Sequence, residues 1–361
     1  MFKKAVFPGK YIQGAGALKE LPALISLFGA RALVLASPTA AKTIVPVCGI
    51  HEETNQAFIE TFGRECCEKE LVRLAKVIEK NRIGVMIGMG GGKTIDTAKI
   101  AADRANIPVI IVPTIASTDA PCSGCAVVYS ENGVHEREYY QKSNPAAVVV
   151  DTGIIAAAPV RFLVAGMGDA LATWFEAESC RRTQSKNECG GLSTMAGLHL
   201  ARLCYDTLLA CGAAAKLACE HQVPTPALER IVEANILLSG IGFESSGLAA
   251  AHAIHNGLTA LEETNAYYHG EKVAFGVLTG LHLTGASPEV MRTVYGFCRE
   301  MGLPVTLADI GLDKRDRIGL RKAAEKTCAP GAAVHHEAGD ITPERVLHAM
   351  IAADAAGQKM R

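Results

Sequence analysis

The chain has no excess of charge of either sign. Its 361 residues include 36 lysines and arginines against 37 aspartates and glutamates, which gives a formal net charge of −1. A protein that neutralises nucleic-acid phosphates or anionic lipids needs a surplus of basic side chains. Because that surplus is missing, we expect small-molecule partners and neither nucleic acid nor membrane.

Long uninterrupted apolar runs are also missing, although nearly half of the side chains are apolar. Stretches such as 248–251 are interrupted well short of the roughly 20 residues that a membrane-spanning helix needs. Near the N-terminus, Pro8 and Gly9 break the chain before the apolar core of a secretion signal, roughly 7–15 residues, could form. The sequence therefore predicts a cytoplasmic protein.

The cysteines lack the spacing of a structural zinc site. Cys122 and Cys125 form a C-x-x-C pair, but the sequence contains no second pair of this kind to complete a zinc site. In a reducing compartment, cysteines are expected to stay thiols that pack like small hydrophobic residues. We predict no structural disulfide.

The amino-acid composition and hydrophobic pattern of the chain change near residue 159. Before it, short β-branched runs alternate with amphipathic stretches, which is typical of a parallel sheet with covering helices. After it, segments rich in Ala, Leu, Glu and Met are punctuated by Gly and Pro, which is typical of helices. We predict an α/β domain over residues 1–158 and an all-helical domain over residues 159–361.

Individual elements follow from hydrophobic periodicity. The predicted strands are 31–36, 83–87, 108–112, 126–129 and 147–150. The predicted helices are 68–80, 94–105, 168–182, 192–209, 226–238 and 288–301.

A glycine-rich turn joins a buried strand pattern to a helix start. The run GGGKT occupies residues 90–94. Glycines let backbone N–H groups approach a phosphate, and a helix N-terminus adds about half a positive charge. The spacing fits neither a P-loop nor G-x-G-x-x-G, because Ile87 and Lys93 stand where glycines are needed. We hypothesise pyrophosphate binding, with an ordinary strand-to-helix turn as the alternative.

A polar loop follows the next predicted strand. Residues 113–121 carry three hydroxyl side chains and the carboxylate of Asp119. Ligands of open α/β sheets bind at the carboxyl ends of strands. We interpret the loop as part of a nucleotide and substrate site, with a capped turn as the alternative.

Potential metal ligands lie in three segments of the helical half. Asp169 and His252 lie among small or apolar residues, and His269 lies in the segment YYHGEK. Burying such groups is costly unless they are paired or bind a cation, and two imidazoles with one carboxylate are typical of catalytic zinc. A single histidine is also compatible with an ordinary core or surface role. His255 shares a helix face with His252, so the spacing leaves open which of them binds metal.

Taken together, these segments resemble the iron-containing, or group III, alcohol dehydrogenase superfamily, nearly from end to end. The resemblance is carried by PGKYIQGAGAL (8–18), GGGKTIDTAK (90–99), PTIASTDAPCS (113–123), VVVDTGIIAAAPVRFLVAGMGDALATWFEA (148–177), TPALERIVEAN (225–235), GFESSGLAAAHAIHNGLT (242–259) and YYHGEKVAFG (267–276). It implies a Rossmann-like N-terminal domain, an all-helical C-terminal domain and a cleft between them that holds NAD and a divalent metal. It also implies a homo-oligomer, commonly an octamer.

The resemblance further implies roles for individual residues. The implied metal ligands are Asp169, His252 and His269, and Asp119 is implied to contact a substrate hydroxyl; these four form the expected catalytic set. The residues implied to contact NAD are Gly91, Gly92, Lys93, Thr94, Asp96, Thr114, Ser117, Ser123, Cys125 and Tyr129. The implied reaction is the reversible oxidation of glycerol to dihydroxyacetone, or of a vicinal diol such as 1,2-propanediol, with NAD and Zn²⁺ or, alternatively, Fe²⁺.

Two positions depart from the family pattern. Ser37 stands where an acidic residue usually holds the adenosine ribose. Its hydroxyl can bind a ribose but lacks the charge that would repel a 2′-phosphate, which leaves NAD against NADP open. In addition, Cys125 brings a thiol to the expected cofactor site.

Other functions would require different side chains near the expected site. A glycerol-1-phosphate dehydrogenase or a 3-dehydroquinate synthase-like lyase needs extra cationic side chains for a charged substrate, but segments 242–253 and 265–274 offer only Lys272 and histidines. A nucleotide-binding sensor without turnover has no reason to keep three metal ligands. Both considerations favour an enzyme that acts on a neutral polyol.

Overall fold

The chain divides into two compact units, which we call the sheet unit and the helical unit. The structure is a computed structural model that describes residues 1–28, 31–50 and 57–360. The sheet unit comprises Val6–Val160 and Ala218–Gly240, and the helical unit comprises Met1–Ala5, Arg161–Leu217 and Ile241–Arg361. The predicted division at residues 158 and 159 assigned 218–240 to the helical domain, whereas these residues group with the sheet unit.

The sheet unit is built on six parallel strands. These strands are β1 (Tyr11–Gly14), β2 (Ala32–Ala36), β3 (Ala57–Thr61), β4 (Val85–Gly90), β5 (Val109–Pro113) and β8 (Ala147–Asp151). Their order in the sheet is β1-β8-β5-β4-β2-β3. The four inner strands are buried along their whole length, as expected where both faces of a sheet are covered. The predicted parallel sheet is confirmed, and its inner strands were predicted to within three residues.

One predicted strand belongs elsewhere, and three were missed. The pattern at 126–129 forms β6 (Cys125–Tyr129), which pairs antiparallel with β7 (His135–Tyr140) in a separate two-stranded sheet. Its residues alternate between buried and half-buried, unlike a central parallel strand. The edge strands β1 and β3 are only partly buried, and β7 is nearly all exposed, so none carries an apolar run.

Helices complete the sheet unit. They are α1 (Leu21–Leu27), α2 (Pro38–Thr43), α3 (Glu68–Asn81), α4 (Gly92–Ala105), α5 (Thr152–Ala157) and α8 (Pro226–Glu233), and a π-helix at Ala234–Leu238 continues α8. Residues 218–240, which we call the returning segment, rejoin the sheet unit after the chain has entered the helical unit. Glu229 holds this segment, because its carboxylate accepts hydrogen bonds from Gln13 and Thr152. These contacts explain why residues 218–240 group with the sheet.

A buried lysine on α4 organises the chain between β5 and β6. The Lys99 side chain is fully buried, and its Nζ donates to the carbonyl oxygens of Ala120, at 2.8 Å, and of Cys125. Its Nζ also lies 3.9 Å from Oδ1 of Asp96. A buried ammonium is tolerated only when such partners surround it, so Lys99 stabilises the path of residues 120–125.

We expect Lys99→Met to lower the free energy of unfolding by about 2–4 kcal/mol, because buried carbonyl groups would lose their donor. Urea denaturation followed by circular dichroism measures the change. Lys76 lies exposed on α3, and the control Lys76→Met should stay within about 0.5 kcal/mol of the unaltered chain. Equal midpoints for the two variants would contradict a structural role for the buried ammonium.

The helical unit confirms the helical character predicted for the second half. Its helices are α6 (Val160–Thr183), α7 (Met195–Glu220), α9 (Ser239–Ser246), α10 (Ala250–Leu258), α11 (His269–Thr284), α12 (Pro288–Met301), α13 (Arg317–Thr327) and α14 (Pro343–Lys359). Three of them, α6, α7 and α9, extend past the boundary of the unit by one to three residues. Within the described ranges, no helix has the length and hydropathy needed to cross a bilayer.

The cysteines of both units are thiols. Of the twelve, nine are buried.

Two glycines allow α6 and α11 to come into backbone contact. A Cβ atom on Gly270 would overlap the carbonyl oxygen of Ala165, and a Cβ on Gly168 would overlap the carbonyl oxygen of Gly270. The neighbours that would clash are backbone atoms, which cannot rotate away. Larger residues at 168 and 270 would therefore push the two helices apart.

We expect Gly270→Ala to destabilise the protein by about 1–3 kcal/mol, because overpacking against a backbone oxygen outweighs the better helix propensity of alanine. Gly296 lies within α12 with no atom within 4 Å of an added Cβ. The matched control Gly296→Ala should leave stability unchanged or raise it by up to about 1 kcal/mol. Thermal unfolding of both variants tests the difference, and a stable Gly270→Ala would refute the steric argument.

Candidate metal and nucleotide sites

Three side chains from three helices converge in the helical unit. Asp169 lies in α6, His252 in α10, and His269 is the first residue of α11. Each offers one ligand atom, and these atoms lie within 4.8 Å of one another. Oδ1 of Asp169 is 3.3 Å from Nε2 of His252 and 3.0 Å from Nε2 of His269. The structure thus brings together the residues that the family resemblance implied as metal ligands.

The charged groups of this cluster shift one another's pKa values. Burial by itself would raise the pKa of Asp169, but the charge of His269 and the hydrogen bonds of both imidazoles hold that pKa well below its usual range. Burial would lower the pKa of His252, yet the carboxylates of Glu176 and Asp169 raise it well above the ordinary value. The Asp169 carboxylate therefore stays negative and attracts positive charge, which either a protonated imidazole or a bound cation can supply.

Glu176 is a functional candidate that the sequence reasoning missed. Its Oε2 lies 2.6 Å from Nδ1 of His252, and its Oε1 accepts from the backbone N–H groups of Ala249 and His252 at 2.9 Å each. Glu176 is buried. It follows Asp169 by seven residues, which is two helical turns, so the shared face was the signal that could have revealed it.

His255 contacts the ligand candidate His269 and is not one of the three converging side chains. Its Nε2 is 3.1 Å from Nδ1 of His269, and its Nδ1 is 3.0 Å from Oδ1 of Asn256. Burial, followed by the nearby positive charges of His269 and Lys272, lowers its pKa well below the ordinary value. Of the two histidines on this helix face, His252 is the one that reaches Asp169.

In the sheet unit, the glycine turn lies at the carboxyl end of β4. Gly91 precedes α4 and carries no side chain to cap the helix, and an added Cβ on Gly92 would have open space around it. The Thr114 N–H donates to the Gly90 carbonyl at 3.0 Å, which joins this turn to the loop after β5. First-turn N–H groups beside open space can bind an anion such as a phosphate.

Lys93, at the start of α4, interacts with two other side chains. Nζ of Lys93 lies 2.6 Å from a carboxylate oxygen of Glu65 and 4.8 Å from the centre of the Tyr129 ring. Burial raises the pKa of the Tyr129 phenol. Lys93 is therefore held by an ion pair and an aromatic face.

Several residues implied to contact NAD already have structural partners. Ser37 caps α2 by accepting from the Ala40 N–H, and Asp96 accepts from the Val127 N–H at 3.1 Å. The Ser123 hydroxyl is buried within hydrogen-bond distance of Lys99.

The other residues implied to contact NAD differ in exposure. Thr94 is buried at the start of α4, whereas Thr114, Ser117 and Cys125 are partly exposed. Their contacts with a nucleotide stay predictions.

Asp119 lies buried in the loop after β5, where the returning segment holds it. The Ser239 hydroxyl donates to Oδ2 of Asp119 at 2.8 Å, and the Asn235 amide donates to the Ala116 carbonyl at 3.0 Å. Asn235 lies in the π-helix, an element that occurs frequently at functional sites. Ser239 and Asn235 were not predicted to contact this loop, because they lie more than a hundred residues away along the chain.

Known proteins resemble this chain over its full length. Residues 8–152 match the family model described as iron-containing alcohol dehydrogenase. Glycerol dehydrogenases from Thermotoga maritima and Pseudomonas putida are 51% and 48% identical to it, with 99% and 97% of this chain and 98% and 97% of theirs covered. The crystal structure of a probable glycerol dehydrogenase from Sinorhizobium meliloti superposes with a TM-score of 0.94 at 44% identity, covering 99% of both chains. This chain therefore belongs to the iron-containing alcohol dehydrogenase family of oxidoreductases.

Proposed function

We propose that the protein catalyses the reversible, NAD-linked oxidation of glycerol to dihydroxyacetone, or of a related small vicinal diol, with a divalent cation. The observation that carries this proposal is the convergence of Asp169, His252 and His269. The printed names of the full-length relatives support it, since they are glycerol dehydrogenases. The proposed assembly is a homo-oligomer, commonly an octamer in this family.

The donor set fits a divalent cation such as Zn²⁺. Two imidazole nitrogens and one carboxylate oxygen, with room for a further ligand, are typical of catalytic zinc sites, and Fe²⁺ accepts similar donors. The Nδ1 atoms of His252 and His269 face Glu176 and His255, so the Nε2 atoms are the ones directed at Asp169. A cation there would supply Lewis-acid chemistry that favours loss of an alcohol proton.

The glycine turn is the part of the sheet unit that fits a dinucleotide pyrophosphate. Gly91, Gly92, Lys93 and Thr94 would bind the phosphates through first-turn N–H groups and the Lys93 ammonium. The nicotinamide ring of NAD would accept the hydride. Ser37 accepts from the Ala40 N–H and keeps its own O–H to donate to a ribose hydroxyl. We therefore propose NAD as the cofactor, and NADP is tested beside it.

Two side chains bear on the choice of substrate. Asp119 is a buried carboxylate on a loop at the carboxyl edge of the sheet, and we assign it to a substrate hydroxyl. Lys272, the lysine within segment 265–274, is itself buried, and burial lowers its pKa. Lys272 and the histidines are the cationic side chains that segments 242–253 and 265–274 offer, which favours a neutral polyol over a phosphorylated or carboxylated one.

The first test is removal of the metal. We expect chelator-treated protein to reduce NAD with glycerol at least ~100-fold more slowly than the original sample, because Lewis-acid stabilisation contributes several kcal/mol. Absorbance at the reduced-cofactor band measures the rate, with metal content determined on the same sample. Adding Zn²⁺ or Fe²⁺ back should restore turnover. In the Asp169→Asn variant, turnover should stay low after the same addition. Undiminished turnover in metal-free protein would refute the proposal.

The second test concerns the substrate. A vicinal diol offers two oxygens to the buried site, whereas ethanol offers one, and a further charge-assisted contact contributes about 1.5–3 kcal/mol. We therefore expect kcat/KM for glycerol and 1,2-propanediol to exceed that for ethanol at least ~10-fold. The panel is run with both NAD and NADP. Comparable values for ethanol and glycerol would contradict diol recognition.

A further inference from the structure

We propose that Glu176 is a positioning residue that holds His252 in the orientation and tautomer needed to bind the cation. This inference rests on the proposed cation site and extends it to a residue outside the ligand set.

The first observation is the arrangement of α6 around the His252 ring. Asp169 and Glu176 lie two turns apart, so they share one face of α6. Oδ1 of Asp169 lies 3.3 Å from Nε2 of His252, and Oε2 of Glu176 lies 2.6 Å from Nδ1. One helix face thus contacts both nitrogens of the same imidazole and determines the direction of its Nε2 atom.

The second observation concerns the proton on this ring. A deprotonated glutamate only accepts hydrogen bonds, so Nδ1 of His252 must carry the proton that lies between them. In the neutral imidazole the lone pair is then on Nε2, which faces Asp169. A carboxylate behind a ligating histidine also increases the basicity of the ligating nitrogen. Glu176 therefore selects the tautomer that can bind a cation.

The third observation is that Glu176 also holds the backbone of this ligand. Helix α10 begins after Ala249, which has no side-chain cap. Oε1 of Glu176 accepts from the N–H groups of Ala249 and His252, at 2.9 Å each. The ring and the main chain of His252 are thus anchored to one carboxylate, which limits how far Nε2 can move before a cation binds.

The substitution Glu176→Gln separates positioning from simple packing. Glutamine keeps the size and one acceptor oxygen, which can still serve the two backbone N–H groups. Its amide nitrogen then faces Nδ1 of His252 as a donor, which favours the tautomer with the proton on Nε2. In that tautomer Nε2 cannot bind a cation, so the variant should fold and yet bind metal poorly.

Glu337 provides a matched control. It is also buried and also serves the start of α10, since its Oε1 accepts from the Ala250 N–H at 3.2 Å. Its other oxygen accepts from the Ser179 hydroxyl at 2.7 Å, and a glutamine amide can donate to that hydroxyl instead. Glu337→Gln thus makes the same chemical change at the same helix end, without altering the contact to His252.

The experiment measures Zn²⁺ affinity by competition with a chromophoric chelator, using the full chain freed of metal. We expect Glu176→Gln to weaken Zn²⁺ binding by about 10- to 100-fold, and Glu337→Gln to change it by less than about twofold. The visible absorption of the Co²⁺-loaded proteins reports ligand geometry independently of activity. It should change for Glu176→Gln and stay constant for Glu337→Gln.

Unaltered affinity in Glu176→Gln would overturn the inference, and so would equal losses in both variants, because equal losses would trace the effect to helix capping. If Glu176→Gln does not fold, Glu176→Asp tests the same point, since the shorter carboxylate cannot reach the ring and the backbone together. Weakened binding in a folded Glu176→Asp supports the inference, and unchanged binding overturns it. A wild-type chain that binds no Zn²⁺ would instead refute the cation site itself.

Discussion

The helical unit depends on how closely α6, α10 and α11 can approach one another. Gly168 and Gly270 bring the backbones of α6 and α11 together immediately beside Asp169 and His269. Gly276 does the same for α10 and α11, since an added Cβ there would overlap the carbonyl oxygen of Ala251, next to His252. Side chains as short as aspartate and histidine can converge only when their helices are this close. The convergence of the three ligand side chains therefore depends on these glycines.

That close packing places several charged groups in a small buried volume. Asp169 and Glu176 are both acidic and both buried on one helix, an arrangement that costs free energy unless partners compensate it. The imidazoles and backbone N–H groups around them provide this compensation. The same arrangement leaves the Nε2 atoms of two histidines directed at one carboxylate, which is the donor pattern of a metal site.

The sheet unit uses buried polar side chains in a comparable way. Lys99 stabilises the loop before β6, and Asn235 and Ser239 hold the loop that carries Asp119. Buried polar contacts thereby hold the loop at the carboxyl end of β5. Because parallel strands end at one edge of the sheet, the glycine turn and the Asp119 loop become neighbours, joined by the hydrogen bond from Thr114 to Gly90.

The amino-acid sequence determined the local elements and the residue types available to the sites. Inner strands such as β5 and helices such as α12 were recognisable because an apolar run or a period of 3.6 residues reports which face is buried. The half-exposed edge strands β1 and β3 carry no such pattern, and the antiparallel pairing of β6 depends on a partner that its own residues do not specify.

Tertiary structure decided which side chains meet. His252 and His255 share a helix face, so spacing could not separate them, and only the approach of α6 directs one of them to Asp169 and Glu176. Glu176 acts on a histidine 76 residues away, and Ser239 on an aspartate 120 residues away. Periodicity reports which face of an element is buried but not which other element covers it. The partners of buried polar groups are therefore fixed only when the helices and the sheet pack.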